Sequence, residues 1–111
     1  MAIVKRKQDP ADKLDYGFDY NDPQATGGPF LQAGETISTS TWTLHDDSWA
    51  AVADVAVGGD SIVGGSKTAV FLGPATDVVA IRDSVRFLTN HIVTSQGREK
   101  DQSYQFTLEE Q

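Results

Sequence analysis

The clearest pattern of hydrophobic and polar positions in the chain is a strict alternation over residues 14–20. Large apolar side chains occupy every second position, and small or acidic side chains lie between them. The first set is Leu14, Tyr16, Phe18 and Tyr20, and the second set is Asp15, Gly17 and Asp19. A period of two is typical of a β-strand with one face on a core and one face in water. The alternation therefore indicates an antiparallel β fold.

Further strands are predicted on both sides of the middle of the chain. The Thr-rich segment Glu35–Leu44 favours a strand, and a bulge is expected between Ile37 and Trp42 because their side chains would otherwise face opposite sides. Asp83–Thr94 is the longest predicted strand. A hairpin turn at 95–98 then leads into the last strand, Asp101–Leu108.

The middle of the chain is harder to assign. Trp49–Val57 is predicted as a strand because of its Val residues, although its Ala content would also allow a short helix. Gly58–Asp60 is expected to be a turn before a short element at Ser61–Val63, and Thr68–Leu72 is another strand. Asn21–Pro29 is expected to be a loop, since it contains Gly and Pro and has no periodicity.

The resulting count is about seven strands at a spacing of roughly 8–14 residues. That pattern predicts an all-β fold, an immunoglobulin-like antiparallel β-sandwich, with no disulfide because the chain has no cysteine. Residues 1–13 are polar, charged and interrupted by Pro10, so we expect an extended N-terminal arm that is flexible or lies on a partner. The sandwich domain is then 14–111.

One predicted strand has apolar groups on both faces. In Asp83–Thr94 one face carries Leu88 and Ile92, and the other carries Val85, Phe87 and Val93 together with His91. A second apolar face suggests that another chain or the N-terminal arm covers it. The alternative is a central strand with a few scattered apolar groups on its outer side, which is common.

The composition limits the possible functions. The chain has 111 residues, enough for one domain, and a formal net charge of −7 from 16 acidic and 9 basic side chains. An acidic surface opposes binding to nucleic acid, which depends on Lys and Arg contacts to phosphates. The absence of cysteine excludes thiolate metal ligands. No secretory signal or membrane-spanning run is predicted.

Candidate chemical sites are few and weak. His45 stands beside Asp46 and Asp47, which could form a metal or general-base site, but a solvated turn explains this cluster better. His91 fits an ordinary strand side chain. Acidic residues recur through residues 9–22 without the ligand order of a calcium loop. The sequence therefore predicts no catalytic residue, no metal, no cofactor and no enzymatic activity.

Several stretches, taken in order, resemble one family. They are KQDPADKLDYGFDY at 7–20, GETISTSTW at 34–42, TNHIVTSQGR at 89–98 and SYQFTL at 103–108. The chain resembles the small fiber–tail adaptor proteins of tailed bacteriophages. It departs from their usual pattern at Tyr20, where Trp is usual, at Glu35, where Asp is usual, and at Val93, where Thr is usual.

This resemblance implies a structural role in the virion. The family is a β-sandwich that attaches tail fibers or spikes to the tail, in several copies and without a cofactor. It implies phage tail proteins and a fiber or spike as partners, a location in the virion tail and synthesis in the host cytoplasm, with no nucleic acid and no membrane as partner. The contact residues predicted on this hypothesis are Lys5, Arg6, Pro10, Phe87 and His91.

A second interpretation remains open. An immunoglobulin-like module can instead bind a ligand such as a carbohydrate, and such modules present exposed aromatic side chains. Trp49 is the one obvious candidate for that role, because Trp42 is expected to belong to the core.

Overall fold

A computed structural model of the protein describes residues 2–22 and 30–109. Within these ranges the chain forms seven strands and one four-residue helix, which confirms the predicted all-β fold. In chain order the elements are β1 (Ala2–Gln8), β2 (Leu14–Asp19), β3 (Ile37–His45), β4 (Val55–Val63), β5 (Lys67–Ala75), α1 (Val78–Ile81), β6 (Ser84–Thr94) and β7 (Glu99–Leu108). Residues 23–29 of the predicted loop lie outside the described ranges.

The strands form two sheets that pack against each other as a sandwich. The four-stranded sheet has the order β1-β7-β6-β3, and the three-stranded sheet has the order β2-β5-β4. Four strand pairs, β2–β5, β4–β5, β3–β6 and β6–β7, are antiparallel, as predicted. The β1–β7 pair is parallel, which the sequence did not indicate. The assignment to the immunoglobulin-like group in particular stays a prediction.

The core lies between the sheets and includes the aromatic face of β2. Phe18 and Tyr20 are buried, as the alternation predicted, whereas Leu14 at the start of the strand is 42% exposed. The Phe18 ring stacks on Tyr104 of β7, with ring centroids 4.5 Å apart. It also stacks on Trp42 of β3 at 5.9 Å. These contacts join the two sheets through aromatic side chains.

Much of the predicted N-terminal arm is a strand of the sandwich. Residues 2–8 are extended, as expected, but they pair with β7 of the same chain. The pairing satisfies backbone groups of β7 that would otherwise lie at a sheet edge. Gln8 is buried, and its Nε2 donates hydrogen bonds to the carbonyls of Leu72 at 3.0 Å and Asp12 at 3.1 Å. Whether residues 1–13 fold as a separate unit from 14–111 stays a prediction.

The middle of the chain differs most from the predictions. The predicted strand at Trp49–Val57 is wrong over most of its length, because β4 begins only at Val55. The predicted turn at Gly58–Asp60 lies inside β4, where a register shift absorbs the extra residue. Gly59 has φ +68°, and a Cβ there would lie 2.7 Å from the Phe71 ring. The glycines therefore permit a bulge under an aromatic ring and do not end the strand.

Two smaller features complete the fold. The bulge expected in the Thr-rich strand is present, as a register shift between Ile37 and Thr39 of β3. Helix α1 begins after Asp77, whose side chain accepts a hydrogen bond from the Ala80 amide at 3.0 Å. Over the ranges that the structure describes, no helix is long and apolar enough to cross a membrane.

Candidate functional site

The surface of the four-stranded sheet that faces away from the core is the candidate site. Leu88, Asn90 and Ile92 of β6 are completely buried, so the alternate positions of β6 and their partners in register point outward. We call this surface the outer face. From β1 to β3 it carries Lys5, Lys7, Asp101, Ser103, Gln105, Thr107, Val85, Phe87, Thr89, His91, Val93, Thr41, Thr43 and His45. Thr89 and Ser103, in the middle of this face, are themselves buried.

Three of the five predicted contact residues share the outer face. Lys5 pairs with Gln105, and Gln105 pairs with Phe87, so Lys5 and Phe87 lie in one row across three strands. His91 lies on β6 opposite Asp101. Because β6 is a central strand and β1 lies beside β7, residues 2–8 do not cover its outer side. Cover by another chain stays a prediction.

The other two predicted contact residues lie elsewhere. Arg6 has the opposite orientation on β1, and its guanidinium is 5.9 Å from the centroid of the Tyr104 ring. It remains exposed because β1 is an edge strand. Pro10 is fully buried in the turn between β1 and β2. The Pro10 side chain therefore has no exposed surface with which to contact a partner.

One end of the outer face carries three rings in contact, which we call the aromatic cluster: His45, Trp49 and Phe87. The indole of Trp49 lies parallel to the His45 imidazole, with centroids 4.6 Å apart and an interplanar angle of 3°. Phe87 packs against the same indole at 5.1 Å. Trp49 remains 46% exposed. The structure thus brings together two residues that the sequence suggested separately for protein and ligand contacts, Phe87 and Trp49.

The turn after β3 positions Trp49. The Asp46 carboxylate accepts hydrogen bonds from the backbone amides of Ser48 at 2.9 Å and Ala50 at 3.0 Å. The Trp49 amide donates to the Asp46 carbonyl at 3.0 Å. Trp49 has φ +63°, a left-handed conformation that is unfavourable for a bulky side chain. Asp46 thus serves as a turn acceptor, in agreement with the solvated-turn interpretation.

His91 forms an ion-pair cluster at the other end of the outer face. Its Nδ1 contacts the Asp101 carboxylate, and its Nε2 lies 3.0 Å from Oε1 of Glu99. The hydrogen bond to Asp101, together with that to Glu99, raises the pKa of His91 above its ordinary value. Both ring nitrogens are used by carboxylates. In the described part of the chain, no group of His, Asp and Glu side chains is arranged to hold a metal ion.

Behind the outer face lies a buried polar network centred on Asn90. Asn90 Oδ1 accepts from the hydroxyls of Tyr20 at 2.7 Å and Thr68 at 2.9 Å, which both belong to the opposite half of the sandwich. Asn90 Nδ2 donates to Ser40 Oγ at 2.8 Å and to the Thr41 carbonyl at 3.1 Å. Burial raises the pKa of Tyr20. The Asn90 side chain therefore links the two sheets through satisfied hydrogen bonds.

A second buried contact joins the start of β3 to the β6–β7 hairpin. The Glu35 carboxylate is fully buried and accepts from Arg98 Nε at 2.9 Å and from the Gln32 amide at 2.9 Å, with further bonds from Arg98 Nη2 and the Thr94 hydroxyl. The Arg98 bond is the main cause that lowers the pKa of Glu35 to about 2. Arg98 also donates to the Phe30 carbonyl at 2.7 Å and lies 4.3 Å from its ring centroid.

The roles of these buried residues are not evident from the sequence, although most of them lie in the motif stretches. Tyr20, Glu35, Asn90 and Arg98 all belong to the stretches that carry the family resemblance. The available signal was the presence of a charged or amide side chain in or beside a strand of apolar and Thr residues. Their partners are distant in sequence, so pairing could not be read from local spacing.

Fold and outer face together define a small all-β sandwich protein with an internally bonded core and an aromatic patch on one sheet. Residues 8–107 match the model of a protein family described as the podophage GP4 fiber-tail adaptor protein gp77. The chain belongs to this family, which confirms the resemblance seen in the sequence. A comparison with curated proteins found no match.

Proposed function

We propose that this chain is a structural, non-catalytic component of the virion that attaches a tail fiber or spike to the tail of a bacteriophage. Membership of the fiber-tail adaptor family supports the attachment role. The same proposal has three further parts. The chain joins tail proteins, it is present in several copies around the tail, and it is assembled after synthesis in the host cytoplasm. The net charge of −7 argues against nucleic acid as the partner.

The aromatic cluster is the observation that carries the proposed contact. Binding energy at protein interfaces is concentrated in a few side chains, and Trp is strongly enriched among them. Trp49 is 46% exposed, although two rings pack against it. A turn with a left-handed Trp keeps that ring at the surface at a conformational cost. A partner that buries Trp49 and Phe87 would gain apolar contact from a preformed arrangement.

The residues around the cluster fit the periphery of such a contact. Val85 and Val93 on β6 are half-buried and extend the apolar strip along the strand. Lys5 lies at the β1 end of the row that contains Phe87, where a charged side chain can remain hydrated. We therefore propose the aromatic cluster as the centre of the contact, with Lys5 and His91 near its rim.

Virions that carry single substitutions in the chain test this proposal. Trp49→Ala and Phe87→Ala should produce particles with fewer fibers or spikes per tail, counted by cryo-electron microscopy. Phe71→Ala is the matched control, because Phe71 is 43% exposed but lies on the three-stranded sheet. Normal fiber numbers in both cluster variants, with each variant incorporated and folded, would reject the aromatic cluster as the contact.

One observation favours carbohydrate binding as a second candidate function. The exposed indole of Trp49 resembles the aromatic surfaces on which ligand modules stack flat ligands. A glycan array probed with the wild-type chain and with Trp49→Ala separates the two functions. A glycan signal that disappears in the variant, in a chain that still attaches fibers, would show that carbohydrate binding is a separate activity.

A further inference from the structure

Two strand edges lie together on one side of the sandwich. β1 is the last strand of the four-stranded sheet, and β2 is the last strand of the three-stranded sheet. β2 lies across from β7, the neighbour of β1, because the Tyr104 hydroxyl donates to the Gly17 carbonyl and the Tyr16 ring packs against Phe106 at 4.7 Å. The other two edge strands, β3 and β4, pack against each other on the opposite side.

Both edges retain backbone groups that can pair with a further strand. Among residues 2–22 and 30–109, no strand pairs with the outer edge of β1 or of β2. The two strands have similar lengths, seven residues and six residues. A sheet edge of this kind is a template for pairing with another chain unless something blocks it.

The two edges carry opposite charge. β1 contributes Lys5, Arg6 and Lys7, all exposed, of which Lys7 is paired with Glu109 of the same chain at 3.2 Å. β2 and the turn before it contribute Asp12, Asp15 and Asp19, which are also exposed, against one basic residue, Lys13. This side of the sandwich therefore has a basic strip beside an acidic strip, in a chain whose overall charge is negative.

Tyr16 marks the place where the two strips meet. Burial is the largest cause of the raised pKa of Tyr16. Among the nearby charged groups, Arg6 lowers this pKa, whereas Asp12 and Asp15 raise it. Arg6 is also held against β1 by a hydrogen bond from its guanidinium to the Lys5 carbonyl at 2.9 Å. The boundary between basic and acidic residues thus follows the gap between the two sheets.

We propose that two copies of this chain associate through this side, about a two-fold axis, with the β1 edge of each copy against the β2 edge of the other. A two-fold interface uses the same surface on both copies, so it must be self-complementary. A rotation of 180° about an axis between the two strips places each basic strip opposite an acidic one. The association goes beyond the proposed attachment role. It shares Lys5 with the proposed rim of the attachment contact but does not use the aromatic cluster, which lies on the outer face.

A competing explanation is that the charges keep the two edges apart from other chains. Lysines on edge strands commonly prevent unwanted pairing. This explanation predicts a monomer, and it predicts no particular relation between the charges of the two edges. The two explanations are therefore distinguished by whether the chain self-associates in a way that depends on opposite charge on β1 and β2.

The full-length chain can be tested by sedimentation velocity over a range of concentrations. A dimer should form at about 50 mM salt and weaken at least about fivefold at about 500 mM salt, because salt screens contacts between exposed charges. A monomer at every concentration up to about 1 mM in the low-salt buffer would overturn the proposal.

Charge reversal provides the sharper test. Lys5→Glu with Arg6→Glu makes both strips acidic, and Asp12→Lys with Asp15→Lys makes both strips basic. Asp19 is left unchanged because its carboxylate accepts a hydrogen bond from the Asn21 amide at 2.9 Å. Each double variant should be monomeric alone. An equimolar mixture should form a heterodimer, because every acidic strip then meets a basic one.

Two controls separate this interface from the proposed attachment site. Asp60→Lys reverses an exposed charge on β4, the strand at the far edge of the three-stranded sheet, and should leave the dimer intact. Trp49→Ala should also dimerise normally, even if it fails to attach fibers. If a reversed variant does not fold, as judged by circular dichroism, Lys5→Gln with Arg6→Gln should still weaken the dimer. Dimerisation that is insensitive to both double reversals, or a mixture that does not restore it, would overturn the proposal.

Discussion

The two faces of strand β6 use their side chains in different ways. On the inner face Leu88, Asn90 and Ile92 are completely buried, and every described polar contact of Asn90 is to another part of this chain. On the outer face Phe87 and His91 are only half-buried, and their contacts are to rings and carboxylates that are themselves partly exposed. The inner face stabilises the sandwich, whereas the outer face is available to a partner.

The residues that carry the family resemblance lie mostly on the buried side of this difference. Asn90, Glu35 and Arg98 belong to the stretches that resemble the family, and all three lie in buried or partly buried contacts within the chain. Trp49 lies outside those stretches and is among the most exposed of the large apolar side chains in the described ranges. These three motif residues stabilise the fold of this chain, while the centre of the proposed contact surface has to be identified from the structure.

The largest effect is expected from Asn90→Leu. The substitution leaves the hydroxyls of Tyr20 and Thr68 without their partner in a region closed to water. It also removes the donor to the Thr41 carbonyl. We expect a loss of about 3–5 kcal/mol in the free energy of unfolding. Equilibrium unfolding in urea, followed by tryptophan fluorescence, measures it.

Tyr20→Phe is the matched control for Asn90→Leu. It removes one hydroxyl from the network and leaves Asn90 bonded to Thr68 and Ser40. The expected loss is only about 1–2 kcal/mol. Equal losses in the two variants would show that the network is not centred on Asn90.

Glu35→Gln should have the next largest effect, and the effect should depend on pH. The pKa of Glu35 is lowered to about 2 from an ordinary value of 4.5, so its ionised form stabilises the fold. That stabilisation is complete above the unfolded pKa and is lost as pH falls from about 4.5 towards 2. At pH 7 we expect a melting temperature at least about 5 °C below that of the wild type.

The thermal scans should be repeated between pH 7 and pH 2.5. The difference between wild type and Glu35→Gln should narrow below pH 4.5, because the wild-type carboxyl then gains a proton in the unfolded chain first. Asp60→Asn is the control, since it removes an exposed carboxylate from β4. A constant difference at all pH values would contradict the assignment of the low pKa to Glu35.

The smallest effect is expected at His91, on the outer face. Its pKa is raised by Asp101 and Glu99, so the protonated ring stabilises the fold. This contribution is fully present below the unfolded pKa of 6.5 and is lost as pH rises through the higher folded pKa. The His91 side chain is 42% exposed, so solvent screens the effect.

An NMR titration of His91 checks this last prediction. The wild-type pKa should lie above 6.5, and Asp101→Asn should bring it down. A wild-type pKa at or below 6.5 would show that the two carboxylates do not hold the ring. His91→Gln should lower the melting temperature at pH 6 more than at pH 8. Both decreases should be much smaller than the effect of a substitution on the inner face of β6, such as Asn90→Leu.

Much of the fold could be predicted from local pattern. The alternation at residues 14–20 and the strands at Asp83–Thr94 and Asp101–Leu108 correspond to β2, β6 and β7 within a few residues. The wrong predictions concern segments whose local sequence is compatible with two different structures. Gly58–Asp60 has the composition of a turn, and only the Phe71 ring across the sheet shows that it is a bulge within β4.

The candidate site was only partly predictable. Phe87 and His91 were selected because a strand with two apolar faces needs an explanation, and the structure places both on the outer face with Lys5. Pro10 was selected as part of a free arm and is buried, because β1 pairs with β7 and closes the turn over it. Such pairing depends on residues about a hundred positions away, so local composition could not indicate it.

By itself the sequence determined the class of fold and the alternation of side chains between faces. A strand's period of two and the preferences of turn residues are local properties of the chain. Only the tertiary structure decided that Tyr20, Thr68 and Asn90 meet inside the sandwich, and that Trp49 meets Phe87 outside it. The reason is that these contacts depend on sheet order and register, which are set by the packing of the whole chain.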